Sequence, residues 1–194
     1  MKYGHVILAD TYSGFIPYVI KMVTNSSFSH SLITTPNVLN TPMCMEAASV
    51  GVSMLSFEEG YGEQSGEDIR CFEVNVPQEI KDAAIKSSLK LLEKSYGYLE
   101  LLWFIWRAIN QLFRRDIKKQ DNWSQSGLIC SELCFEYLKA CGLEHLFSAY
   151  GNGSISPEDI YRVMKANPDI FIEVTSRDMY NSLKLNDSSQ NTSV

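Results

Sequence analysis

Cys130 stands in Gly127-Leu128-Ile129-Cys130-Ser131-Glu132-Leu133-Cys134, where the apolar spacing predicts a helix over 128–140 closed by Gly142. A cysteine in the first turn of a helix feels the positive end of the macrodipole and unpaired backbone N–H groups. Both favour the thiolate, the reactive form of the side chain. The competing role is that of a small buried hydrophobe, which is the expected one for Cys134 and Cys141 and stays open for Cys130. The Cys-x3-Cys spacing has no second Cys or His pair beside it, so no zinc site is expected. Neither a metal nor an organic cofactor is indicated.

A thiolate nucleophile needs a proton partner, and the sequence offers His5, His30 and His145. His30 opens an apolar strand after the polar run Asn25-Ser26-Ser27-Phe28-Ser29, where a side chain can face a cleft from a sheet edge. His145 follows Gly142 and fits a capping or solvated role, while His5 precedes the first strand and either role is open to it. An imidazole base also needs a group that fixes its tautomer and stabilises its protonated form. Glu46 lies in the otherwise apolar Met43-Cys44-Met45-Glu46-Ala47-Ala48, and a carboxylate within such a strand must be paired to be tolerated. If 31–35 and 43–48 form a hairpin, Glu46 lies on the strand beside the histidine; the alternative is a glutamate on the solvated face of an alternating strand.

The elements that must position these residues divide the chain in two. Val6-Ile7-Leu8-Ala9 predicts a short buried strand, followed by a turn at 10–14 and a helix over 15–23. Strands are expected at 30–35, 43–48, 50–55 and 70–76, with Pro36-Asn37 and Asn40-Thr41-Pro42 bracketing the turn between the first two and a Gly-rich acidic loop over 58–68. Helical spacing takes over past Pro77 and runs to residue 94, and Ser156-Pro157-Glu158-Asp159 carries an N-cap Ser, a Pro at N1 and first-turn acids. Residues 99–113 are apolar nearly all round for two turns and are followed by Arg114, Arg115, Lys118 and Lys119. This segment reads as a buried helix or lid, or else as an interfacial helix touching an acyl chain or a membrane surface.

The 194 residues are 45% hydrophobic and 21% charged, which suits one globular domain able to bury about 70% of its unfolded surface without disulfide staples. We expect that domain over 1–184, with an apolar helical insertion near 99–119 and a flexible tail at 185–194. The net charge of −6 lacks the basic footprint that nucleic-acid binding needs. An odd count of five cysteines favours free thiols in a reducing compartment, and only four apolar residues follow the start before Asp10, so no secretory leader is expected. No apolar stretch reaches the roughly 20 residues of a membrane span. A cytoplasmic location is the expectation.

Six segments, in order, resemble the circularly permuted branch of the NlpC/P60 papain-like superfamily, the YiiX/YaeF-type cysteine hydrolases. Gly4-His5-Val6-Ile7-Leu8-Ala9-Asp10 is similar to the opening strand, with His5 where an acid is more usual. Phe28-Ser29-His30-Ser31 resembles the S-H motif, Met45-Glu46-Ala47 the E-A strand, and Ser95-Tyr96-Gly97-Tyr98 the P-Y-G/D segment, with Ser95 where proline is common. Leu128-Ile129-Cys130-Ser131-Glu132-Leu133 resembles F-I-C-S-E-L, and Ile155-Ser156-Pro157-Glu158-Asp159-Ile160 the S-P-x-D-L helix start. The resemblance covers residues 4–162.

It implies an α+β permuted papain-like domain, a small antiparallel sheet packed against helices on one side. It further implies Cys130 as nucleophile, His30 as base and acid, Glu46 as the orienter of the histidine, and Tyr96 near an oxyanion hole that the Cys130 backbone N–H would serve. Tyr12 and Asp10 are candidates to line the cleft. The expected activity is a cysteine hydrolase, a peptidase or amidase acting on peptide or cell-wall-derived amides through a thioester. The alternatives are a lipid-directed acyltransferase or thioesterase, as in related lecithin:retinol acyltransferase-like enzymes, and a noncatalytic binding protein on the same fold. The expected partner is a peptide or an acyl-containing small substrate, with peripheral membrane or lipid contact through 99–119 as a further option and the oligomeric state open.

Overall fold

The computed structural model describes residues 2–10, 18, 21–22, 26–48, 51–62, 68–92, 95–96, 127–150 and 155–184. Tyr12, most of the expected 15–23 helix, the 99–119 insertion and the 185–194 tail lie outside the described residues. The fold is α+β. Its main sheet runs β4-β3-β2-β1-β5-β8, antiparallel throughout, from β1 (Val6–Asp10), β2 (His30–Val38), β3 (Thr41–Ala48), β4 (Gly51–Ser56), β5 (Asp68–Val74) and β8 (Phe171–Val174). β6 (Ser95–Tyr96) and β7 (Gly127–Leu128) form a separate parallel pair. Among the described residues the helices include α1 (Phe57–Tyr61), α2 (Gln78–Ser88), α3 (Cys130–Ala140), α4 (Pro157–Ala166) and α5 (Ser176–Lys184).

Burial in the central strands is continuous instead of alternating: Val6, Ile7, Leu8 and Ala9 are fully buried, as are Ser31, Leu32, Ile33, Thr34 and Thr35. A strand with no wet face has both faces covered, which corrects the expectation of helices on one side only. α3 packs on β2 and β3, α1 on β3 and β4, and α5 on β3 and β5. Tyr161 of α4 meets Phe28 and Phe72, with ring centroids 5.0 and 6.2 Å apart.

The β2–β3 hairpin turns at Leu39 and Asn40, both at positive φ (50° and 63°), the pairing that a tight two-residue turn requires. The turn falls within the span that Pro36-Asn37 and Asn40-Thr41-Pro42 were expected to bracket, and the strands run on through both prolines. The register shifts between Thr35 and Val38, which accommodates a residue with no N–H to give the ladder. Residues 57–61, running into the loop expected over 58–68, form α1 instead. The helix expected to reach residue 94 leaves α geometry at Ser88 and tightens into a 3-10 turn over Leu89–Leu91.

α3 starts two residues later than the apolar spacing predicts. Leu128 belongs to β7 and Ile129 is extended at φ −93°, ψ 163°, its N–H donating to the Glu132 carboxylate at 3.1 Å. Gly142 takes φ +81° just past the other end. At α4, Ser156 Oγ accepts from the Asp159 N–H while the Asp159 carboxylate accepts from the Ser156 N–H, a reciprocal capping box. β8 and α5 were not anticipated from the sequence.

Candidate active site

The start of α3 and the β2–β3 hairpin bring Cys130, His30 and Glu46 together. Antiparallel pairing sets Leu32 opposite Glu46, so His30 and Glu46 stand diagonally on one face, and His30 Nε2 donates to Glu46 Oε2 at 2.7 Å. The His30 and Glu46 side chains are 13% and 12% exposed, and Cys130 as a whole 3%, so the array is nearly closed off from bulk water. With Nε2 committed to the carboxylate, Nδ1 is the ring nitrogen left for the Cys130 thiol, which lies within hydrogen-bonding contact of His30.

Electrostatics separate Cys130 from the other thiols. Burial raises the Cys44, Cys71, Cys134 and Cys141 thiols, Cys71 to about 12 and Cys141 to about 11. Burial raises Cys130 too, but the facing His30 charge and hydrogen bond outweigh it, with the Ser31 backbone and hydroxyl adding support, and the thiol falls below its ordinary value. His30 moves oppositely: burial lowers it, the Cys130 charge and hydrogen bond and then Glu46 overcome that, and it rises to about 10. Burial raises Glu46, and the His30 and Tyr61 hydrogen bonds bring it net below its ordinary value. Both shifts favour the charged forms, a thiolate facing an imidazolium that a carboxylate anchors. Because Cys130 is the first helical residue, its N–H has no acceptor within the helix, as suits a donor for developing negative charge on a substrate oxygen.

Tyr61 was missed from the sequence. Its hydroxyl donates to Glu46 Oε2, the oxygen His30 also uses, and its ring stacks on His30 with centroids 6.3 Å apart and 13° between planes. A carboxylate in an apolar strand signals that such a donor must exist, but the acidic, Gly-rich surroundings of Tyr61 gave no sign of the helix that presents it.

The cleft candidates fare differently. Asp10 ends β1 one residue past Ala9, which pairs with His30, and its carboxylate accepts from Lys21 Nζ at 2.6 Å. The Tyr96 backbone pairs with Leu128, two residues before Cys130. His145 is exposed beside the Gly142 carbonyl, a local capping role. His5 is buried against Thr34, well along β1 from the site, and burial foremost holds it down at about 4.

All five cysteines are free. Among the described residues no group of three or more His, Cys, Asp or Glu is placed to hold a metal ion, and no helix is long and apolar enough to cross a membrane. No family model matches the chain, and no curated protein does.

Proposed function

We propose that the chain is a cysteine hydrolase of the permuted NlpC/P60 type that cleaves amide bonds of peptide-like substrates through a thioester. The observation that carries the reading is the placement of Cys130 at a helix start against His30, itself held by Glu46 at 2.7 Å. Cys130 Sγ attacks the amide carbon, the C=O π pair moves onto oxygen, and the Cys130 N–H steadies that oxyanion. When the carbonyl re-forms, the C–N bond breaks and His30 Nδ1–H protonates the departing amine. Water then attacks the thioester, gives a proton to His30 and releases the acid, and the C–S electron pair returns to Cys130 as thiolate. Glu46 keeps the ring oriented and its charge balanced throughout.

The test is the pH dependence of thiolate absorbance and of site-resolved iodoacetamide labelling, in the unmodified protein and in His30→Ala. The expected result is a thiolate confined to Cys130 that persists well below pH 8 and disappears in the variant, with Cys134 and Cys141 as slow internal standards. Uniformly slow labelling, no low-pH thiolate and no effect of His30→Ala would overturn the reading.

A further inference from the structure

α1 presents Tyr61 to Glu46 and His30, yet little within α1 fixes its pose. It has five residues, Gly60 lies inside it, and Ser56 gives it no side-chain cap. A helix that short does not persist on its own hydrogen bonds, so its rotation has to be set from outside. Phe57 and Tyr61 are four apart, share one face and are both buried, with ring centroids 6.5 Å apart. Tyr180 of α5, 122 residues further along the chain than Glu58, reaches the first turn of α1 twice. Its ring lies against Phe57 with centroids 6.0 Å apart, and its hydroxyl donates to Glu58 Oε2 at 2.7 Å. Successive helical positions point about 100° apart, so contacts at 57 and 58 together fix rotation as well as position.

α5 is itself anchored. Met179 and Leu183 are buried, the Asn37 side-chain amide donates to the Leu183 carbonyl at 2.8 Å, and the Asp178 N–H donates to Thr175 Oγ1 at the helix start. Lys184, one turn on from Tyr180, sets its ammonium 4.5 Å from the centre of that ring. Contacts therefore run unbroken from α5 to the imidazole: Tyr180 on Phe57 and Glu58, Phe57 on Tyr61, Tyr61 on Glu46 and His30. We propose that Tyr180 is a positioning residue for the site, holding α1 through Phe57 and Glu58 so that the Tyr61 hydroxyl stays on Glu46 and the His30–Glu46 pair keeps its geometry. The inference rests on the hydrolase reading and adds to it a support for the site that comes from α5. No bond is made or broken at Tyr180.

The experiment follows the His30 Nε2–H proton by NMR, since its bond to the Glu46 carboxylate at 2.7 Å shifts it downfield and slows its exchange with water. Exchange is measured in the full chain and in Tyr180→Leu, Tyr180→Phe, Glu58→Ala, Glu58→Gln, Tyr61→Phe, and Tyr61→Phe combined with Tyr180→Leu. The Leu32 backbone amide of the same strand is the reference. Tyr180→Leu is expected to speed exchange at Nε2 about tenfold, and Tyr180→Phe and Glu58→Ala about threefold, with Leu32 little changed. Glu58→Gln still accepts the hydroxyl and should stay near the unmodified rate. In the Tyr61→Phe background Tyr180→Leu should add nothing, because it acts through Tyr61. A merely structural tyrosine would speed Leu32 and Nε2 together; that outcome, or a full effect in the Tyr61→Phe background, overturns the inference. Should Tyr180→Leu not fold, no change at Nε2 in Tyr180→Phe and Glu58→Ala decides against it. Iodoacetamide labelling is read on the same samples. Cys130 as slow as Cys134 in the unmodified protein overturns the hydrolase reading and, with it, the role of Tyr180, whereas fast Cys130 with an Nε2 rate that Tyr180→Leu leaves unchanged overturns this inference alone.

Discussion

His30 Nε2 and the Tyr61 hydroxyl converge on one oxygen, Glu46 Oε2, so the carboxylate is held from two elements at once. Glu46→Gln removes the charge that helps keep His30 protonated, and the alkaline limb of the pH–rate profile should move to lower pH by about one unit. Tyr61→Phe deletes one donor and keeps the ring, so it should lower stability by about 1 kcal/mol and move that limb less than Glu46→Gln does. Profiles of amide turnover for both variants check the order; an equal shift, or none, counts against the anchoring role. At this scale the sequence was informative where chemistry is rare: three histidines, one acid in an apolar strand and one cysteine at a helix start left few combinations. Tyr61 and Tyr180 escaped because tyrosine is common and nothing in their neighbours marks them. Their roles follow from which face of which element they occupy, and that is settled only by packing.

Among the elements, α3 is fixed at both ends of its contact with the sheet. Cys130 meets His30 at one end, and Tyr137 donates its hydroxyl to the Gly4 carbonyl at 2.8 Å nearer the other. Gly4 sits at φ +83°, and a Cβ there would come within 2.5 Å of Tyr137 Oη and 3.0 Å of Lys81 Cδ. Gly4→Ala should therefore cost more than the roughly 1 kcal/mol of a left-handed alanine, displace Tyr137 and loosen the seat of α3. Denaturant unfolding together with the rate of Cys130 alkylation checks this, and a neutral effect on both would show that the tether does not hold the helix. Strand and helix types through the first half, and the caps at Gly142 and Ser156, were legible because apolar period and cap chemistry are local signals. The hairpin turn was legible between Pro36 and Pro42, but the strands run closer to it than two prolines suggest, because a register shift takes Pro36 into β2. β8 and α5 are short and partly polar, and they become elements only by docking on β5 and β3.

For the molecule as a whole, acid stability should be set by groups that resist protonation inside the fold. His5 is held at about 4 against an ordinary 6.5, so the unfolded chain binds this proton first and stability falls as pH drops from 6.5 towards 4, by roughly 2–3 kcal/mol from this group. Above 9 the unfolded cysteine loses its proton before His30 does, and stability declines towards pH 10. His5→Gln should make the acid limb shallower and leave the alkaline one in place, as read by urea midpoints across pH; an unchanged acid limb would remove His5 from the account. The sheet order carries one more consequence, for the time course of folding. His30 and Glu46 lie within a single local hairpin, whereas Cys130 comes from about a hundred residues further along and reaches them only by closing a long loop. In refolding from denaturant, fast alkylation of Cys130 should return with or after the slowest backbone signal of the sheet, and an earlier return would count against this order. A chain that is still assembling therefore carries five ordinary thiols, and Cys130 is set apart from the others only once the surrounding core can restrict what reaches it.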